Sequence, residues 1–127
     1  MMNILGVQYS QPTCRHCDGP TEAHTVKLDN CNYNAGRPYY RCRPCDSFST
    51  FADDLGVQLG NPRCRCDLPS RQQLAGLEET KTVPRGLHYV CMIGRCDFRE
   101  QRKDDNGSPI AVWDRSEILA MRQQKLI

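Results

Sequence analysis

Apolar and polar residues alternate along this chain in short runs cut off by Gly, Pro and Asn, a pattern that predicts strands rather than helices. The candidate strands are Ala23 to Leu28, Pro38 to Arg43, Ser47 to Ala52, His88 to Met92 and Asp97 to Arg102. The turn-rich stretch from Asp29 and Asn30 to Gly36 joins the first two. Pro38 has no N–H to donate, so its strand must lie at an edge or begin at that residue. A helix is expected only over 114–126, where Asp114 caps and Glu117 completes a capping box ahead of Ile118, Leu119, Met121 and Leu126. At about 13 residues it is marginal alone, so it should dock on the chain's second half or on a partner.

Composition sharpens this picture. Nine cysteines, nine aromatic residues and a mean hydropathy of −0.65 in 127 residues leave too little apolar surface for a conventional core. Chains of this kind gain stability from disulfides or from metal. The N-terminus, Met1 to Val7, has no basic region, no apolar run and no small-residue cleavage site, so no secretory signal is expected. No stretch approaches the roughly 18 apolar residues of a membrane span, so no membrane partner is expected either. An intracellular, reducing setting and an odd number of cysteines both favour metal ligation over disulfides.

The cysteines repeat. Shifted by 49 residues, Cys17-Asp18-Gly19-Pro20 lies over Cys66-Asp67-Leu68-Pro69, Cys42 over Cys91 and Tyr40 over Tyr89. Each copy opens with one ligand pair, Cys14 with Cys17 and Cys64 with Cys66. Each closes with another, Cys42 with Cys45 and Cys91 with Cys96. Two close pairs separated by a loop supply the four tetrahedral sulfur donors of a closed structural zinc site. The expected cofactor is therefore two Zn²⁺ ions, one per module, with His16 and His24 as bystanders and Cys31 as a spare thiol. The modules are expected over 12–56 and 62–103, separated by the short loop Val57 to Pro62.

Charge is nearly balanced, 17 basic against 15 acidic residues, and does not by itself announce a nucleic-acid binder. Thirteen of the basic residues are arginine, however, and many flank cysteines. Arginine grips phosphate bidentately and stacks on bases.

The first module resembles the GRF-type zinc finger. The resemblance is carried by Asn34-Ala35-Gly36-Arg37-Pro38-Tyr39-Tyr40-Arg41-Cys42, preceded by Thr25-Val26-Lys27 and followed by Cys45, Phe48 and Asp53. It covers about Pro12 to Gly56. It implies a compact antiparallel sheet on one zinc and a role on single-stranded nucleic acid, DNA in preference to RNA, alongside a DNA-processing protein and in the nucleus. Carried over, it implicates Lys27, Arg37, Tyr39 and Arg41 in that contact, with one of Tyr39 and Tyr40 facing outward and the other packed on the zinc core. The second module, Arg85-Gly86-Leu87-His88-Tyr89-Val90-Cys91, diverges by reversing the Gly-Arg order and placing His88 where Tyr39 stands, which makes His88 its expected nucleic-acid contact. The family's Trp near the end of the finger is replaced in the first module by Phe51.

The expected fold is thus small, metal-stabilised and mostly β: two tandem zinc-binding antiparallel modules with a short C-terminal helix. The expected function is a non-enzymatic tandem zinc finger that binds single-stranded nucleic acid. The alternative is a protein-interaction adaptor in which the helix, through Ile118, Leu119 and Met121, makes the contact. No enzyme is expected: four-cysteine sites are closed, and no Gly-rich phosphate loop, His-Glu-x-x-His or Gly-x-Ser-x-Gly occurs. Asp53 and Asp54 read as a turn before Gly56 rather than as an acid/base pair.

Overall fold

The computed structural model describes residues 1–78 and 82–127. It is mostly β, with three small antiparallel sheets and one short helix near the C-terminus. No helix among the described residues is long and apolar enough to cross a membrane.

A hairpin of β1 (Met2–Ile4) and β2 (Val7–Tyr9) opens the chain. Its two-residue turn holds Leu5 at φ 52° and Gly6 at φ 80°, the paired positive φ values of a tight hairpin turn. It lies outside the expected strands, although Met-Asn-Ile and Val-Gln-Tyr both alternate; Met2 and Ile4 are fully buried.

The first module's sheet has the order β3 (Glu22–Thr25), β4 (Pro38–Cys42), β5 (Ser47–Phe51). Pro38 is the first residue of its strand, as a proline in a central strand must be. The second sheet has the order β6 (Arg71–Leu74), β7 (Leu87–Val90), β8 (Arg99–Gln101). The registers coincide: Ala23 pairs Tyr40 and His24 pairs Tyr39, while 49 residues on Gln72 pairs Tyr89 and Gln73 pairs His88. The third strands differ. In the first sheet the register shifts between Tyr40 and Arg41, which pair with Thr50 and Phe48, so Ser49 forms a bulge. The second sheet has no such shift.

The two sheets share one core. Met2 and Ile4 of the hairpin, Tyr40 of β4, and Val57, Cys64, Cys91, Met92 and Ile93 form a single buried cluster. Arg71 locks the halves together from inside. Its guanidinium, with no solvent exposure, donates to Asp53 Oδ1 at 3.0 Å, to the Leu55 carbonyl at 2.7 Å, and to the Phe51 and Met92 carbonyls at 3.1 Å each. Thr50 Oγ1 reaches the same Met92 carbonyl at 3.0 Å. Asp53 is therefore a partly buried counter-ion and not merely part of a turn.

The helix α1 spans Arg115–Gln123 and is shorter than expected at both ends. Asp114 caps it, its carboxylate accepting from the Glu117 N–H at 3.0 Å. At its other end Lys125 turns left-handed, φ 58°, and the Lys125 and Leu126 N–H groups return to the Arg122 and Met121 carbonyls. This pair of bonds is a Schellman ending. It sends the chain back across the loop, where Gly56 N–H donates to the Lys125 carbonyl and Gln72 Nε2 to that of Leu126.

The helix docks on the second sheet. Ile118, fully buried, packs with Leu74, Leu87, Val112 and Ile127, and Met121 lies against them. Of the three helix residues expected to make an adaptor contact, Ile118 and Met121 face the protein's own core and Leu119 is exposed.

Candidate metal centres

Each centre is built from two knuckles that a sheet brings together. In the first, Thr13 bridges to Pro20, Cys14 N–H donates to the Gly19 carbonyl at 2.8 Å, and Asp18 turns left-handed at φ 60°. The His16 N–H points at Cys14 Sγ, 3.3 Å away. Cys42 ends β4, and Cys45 follows in the turn before β5. The second centre repeats the construction: Arg63 bridges to Pro69, Cys64 N–H donates to the Leu68 carbonyl at 3.0 Å, Asp67 sits at φ 58°, and the Cys66 N–H meets Cys64 Sγ at 3.4 Å. Cys91 follows β7 directly.

The four sulfurs of Cys14, Cys17, Cys42 and Cys45 lie within 4.8 Å of one another, as do those of Cys64, Cys66, Cys91 and Cys96. Zn–S bonds of about 2.3 Å in a tetrahedron place sulfurs about 3.8 Å apart, and Cys17 and Cys42 stand at 3.6 Å. Both groups fit zinc. A complete set of four thiolates leaves no open position, so both sites are structural in kind. The bound ion would supply cross-linking of the two knuckles.

The thiols are polarised by their surroundings. The backbone N–H groups of Cys17 and His16 pull Cys14 down to about 6. Burial pushes Cys96 upward, but N–H groups of Phe98 and Arg65 outweigh it and bring the thiol to about 7. Cys45 is pushed up to about 12 by sharing hydrogen bonds with Cys17 and Cys42, and Cys66 to about 12 chiefly by burial. Metal ligation takes the thiolate form, so closing either site on zinc would release protons.

The looser spacing of the second centre has a structural reason. Cys91-x4-Cys96 is two residues longer than Cys42-x2-Cys45, and the loop it makes inserts Met92 and Ile93 into the shared core. Gly94 turns that loop at φ 70°, against Ser49 of the first sheet. His16 and His24 stand outside the sulfur clusters; His24 pairs with Glu22 instead. Cys31 is exposed and belongs to neither cluster, as expected of a spare thiol.

Beside the first centre, one face of β3, β4 and β5 carries a row of rings. His24 stacks on Tyr39 at 5.6 Å, Tyr39 on Phe48 at 5.8 Å, and Phe48 meets Phe51 edge-on at 4.9 Å. The bulge at Ser49 makes this row: it puts Phe48 and Phe51, three apart, on the same face. Period-2 reading misses the pairing, so Phe48 did not stand out as a site residue. A groove of about 690 Å³ runs along the row, with Lys27 and Arg41 on its walls. Tyr39 is half-buried in the row while Tyr40 lies in the core, the division of labour expected of adjacent strand residues.

Two residues expected at a nucleic-acid contact are placed elsewhere. Arg37 is buried, 7% exposed, with Nε and Nη2 on Asp53 at 2.8 and 2.9 Å, Nη1 on Asn34 and its plane 3.5 Å above the Phe51 ring. Its fork already grips a carboxylate, which leaves it nothing to offer a phosphate. His88 is 3% exposed, at the centre of the second sheet between Gln73 and Gln101. Arg41 lines the groove and pairs with Asp46, whose carboxylate is largely in water, so exchange for a phosphate is inexpensive.

No curated protein and no solved structure matches this chain. One family model does, that of the GRF-like zinc ribbon domain, which matches residues 11–55, the stretch that holds the first four-cysteine cluster and the ring face; the second four-cysteine cluster is consistent with a diverged second module.

Proposed function

We propose that this protein is a non-enzymatic, zinc-structured pair of modules that binds single-stranded nucleic acid, DNA in preference to RNA, along the ring face of the first module. The observation that carries this reading is the row His24, Tyr39 and Phe48 in an open groove with Lys27 and Arg41 beside it. Rings spaced along a strand face offer successive bases a stacking platform, and flanking cations follow the phosphates. The second module is a diverged copy in which Gln73, His88 and Gln101 replace His24, Tyr39 and Phe51 at matching register positions, so it lacks the platform. A nuclear setting and a DNA-processing partner accord with this role.

Fluorescence anisotropy of a labelled single-stranded oligonucleotide tests it, with the zinc-loaded protein at two salt concentrations. Binding should weaken steeply with salt. Tyr39→Ala and Phe48→Ala should each lower affinity by about 1–3 kcal/mol, the worth of a stacked base. Absence of binding at low salt by a protein carrying two zincs would overturn the proposal.

A further inference from the structure

The ring row does not end in solvent. Past Phe48 and Phe51 it opens into a smaller cleft of about 240 Å³ between the two sheets, whose far side is made by Gln73 of β6, His88 of β7 and Arg99 of β8. Sites for whole drug-sized ligands usually exceed about 300 Å³, so this cleft suits a single ring system.

Two donors there, on Arg99 and Gln73, are unmet. The Arg99 guanidinium is exposed and, among the described residues, makes no ion pair or hydrogen bond. Among the described residues, seven other arginine and lysine side chains are paired with carboxylates, including the neighbouring Arg65 with Asp97. The Gln73 side-chain nitrogen is buried with no hydrogen-bond partner. An unmade bond of this kind is costly, and turning the amide toward an acceptor in the cleft would relieve it.

Taking the nucleic-acid reading above as its basis, we propose that this cleft is a base-reading subsite that takes an unstacked guanine from the bound strand. Phe48 and Phe51 supply the apolar wall. Arg99 faces the Hoogsteen edge, where guanine presents two acceptors, O6 and N7, to a planar fork of donors. Adenine and cytosine place an amino donor at the corresponding position, against the Arg99 and Gln73 donors. The second module, without a ring row of its own, thereby gains a part in the same site.

The test uses the full zinc-loaded chain and oligothymidine strands carrying one central guanine, adenine, cytosine or 7-deazaguanine. The guanine strand should bind at least about fivefold tighter than the others, the low end for a bidentate base contact. 7-Deazaguanine, which lacks N7, should lose that preference without any change to the protein. Arg99→Lys should abolish the preference and keep the salt dependence, because it retains the charge and loses the fork. Equal affinity for all four strands, or a guanine preference that survives in Arg99→Lys, overturns the subsite while leaving strand binding in place. No binding to any strand overturns both.

Discussion

Arg71 and Asp53 form an ion pair at 3.0 Å in which the guanidinium has no contact with solvent and the carboxylate very little. The two residues come from different halves of the chain, and the same carboxylate also receives Arg37. One acidic side chain thus serves two buried cations, and burial pulls Arg71 only down to about 10, still charged at neutral pH. Removing the acid leaves both cations stranded. Asp53→Asn should destabilise the zinc-loaded protein by about 3–5 kcal/mol, the usual cost of breaking a buried pair, measured by urea unfolding.

The pH dependence of that difference follows from the same contacts. Burial works to raise the Asp53 carboxyl, but the hydrogen bond and charge of Arg37, with that of Arg71, hold it below its ordinary 3.8. A carboxylate depressed by folding contributes fully above its unfolded value and loses that contribution as the pH falls through the folded one. The gap between Asp53→Asn and the parent should therefore stay constant from pH 8 to pH 5. A gap that closes within this range would show that Asp53 titrates there and is not held by the arginines.

The two metal centres should differ in their reach. Cys64 and Cys91 belong to the shared core, whereas Cys17 is exposed at the first centre's rim. Cys17→Ser and Cys91→Ser should each cut bound zinc from two ions to one. Cys91→Ser should strip more amide-exchange protection from the N-terminal hairpin than Cys17→Ser does, because Met2 and Ile4 pack on that core. A strong chelator should unfold both sheets.

Gly56 sits at φ 81°, and a Cβ there would lie 2.1 Å from the Gln72 carbonyl oxygen. That contact is backbone on backbone, so no side chain can move aside. Gly56→Ala should cost about 3 kcal/mol from overpacking and left-handed strain together. The opposite change is available at Lys125, which holds the left-handed residue of the Schellman ending, φ 58°, where glycine is at ease. Lys125→Gly should stabilise by about 1 kcal/mol, read as a rise in midpoint denaturant concentration.

The sequence was legible wherever chemistry or strict periodicity wrote it. Both sulfur clusters follow from cysteine spacing, β4 and β7 from their Tyr-x-Cys endings, and the helix start from Asp114. The strand β6 was invisible because Arg71-Gln72-Gln73-Leu74 reads as polar surface; Arg71 is buried on the carbonyls of Phe51, Leu55 and Met92, about 16–21 residues away, which no local pattern encodes. Arg37 misled for the same reason. An arginine beside an aromatic run looks alike whether it faces a phosphate or an aspartate 16 residues away. The ring row required a bulge, and a bulge resets the alternation on which strand reading depends.

Met92 and Ile93 sit inside a metal knuckle and inside the common core at once. Ion uptake at the second centre therefore also completes the surface that covers Tyr40 of the first sheet. Each half acts as a template for the other, and loading one site should raise the affinity of its neighbour. Cut out alone, the ribbon at residues 11–55 would present Tyr40 bare where the hairpin and the second knuckle now lie, so the smallest cooperative folding unit is the joined pair.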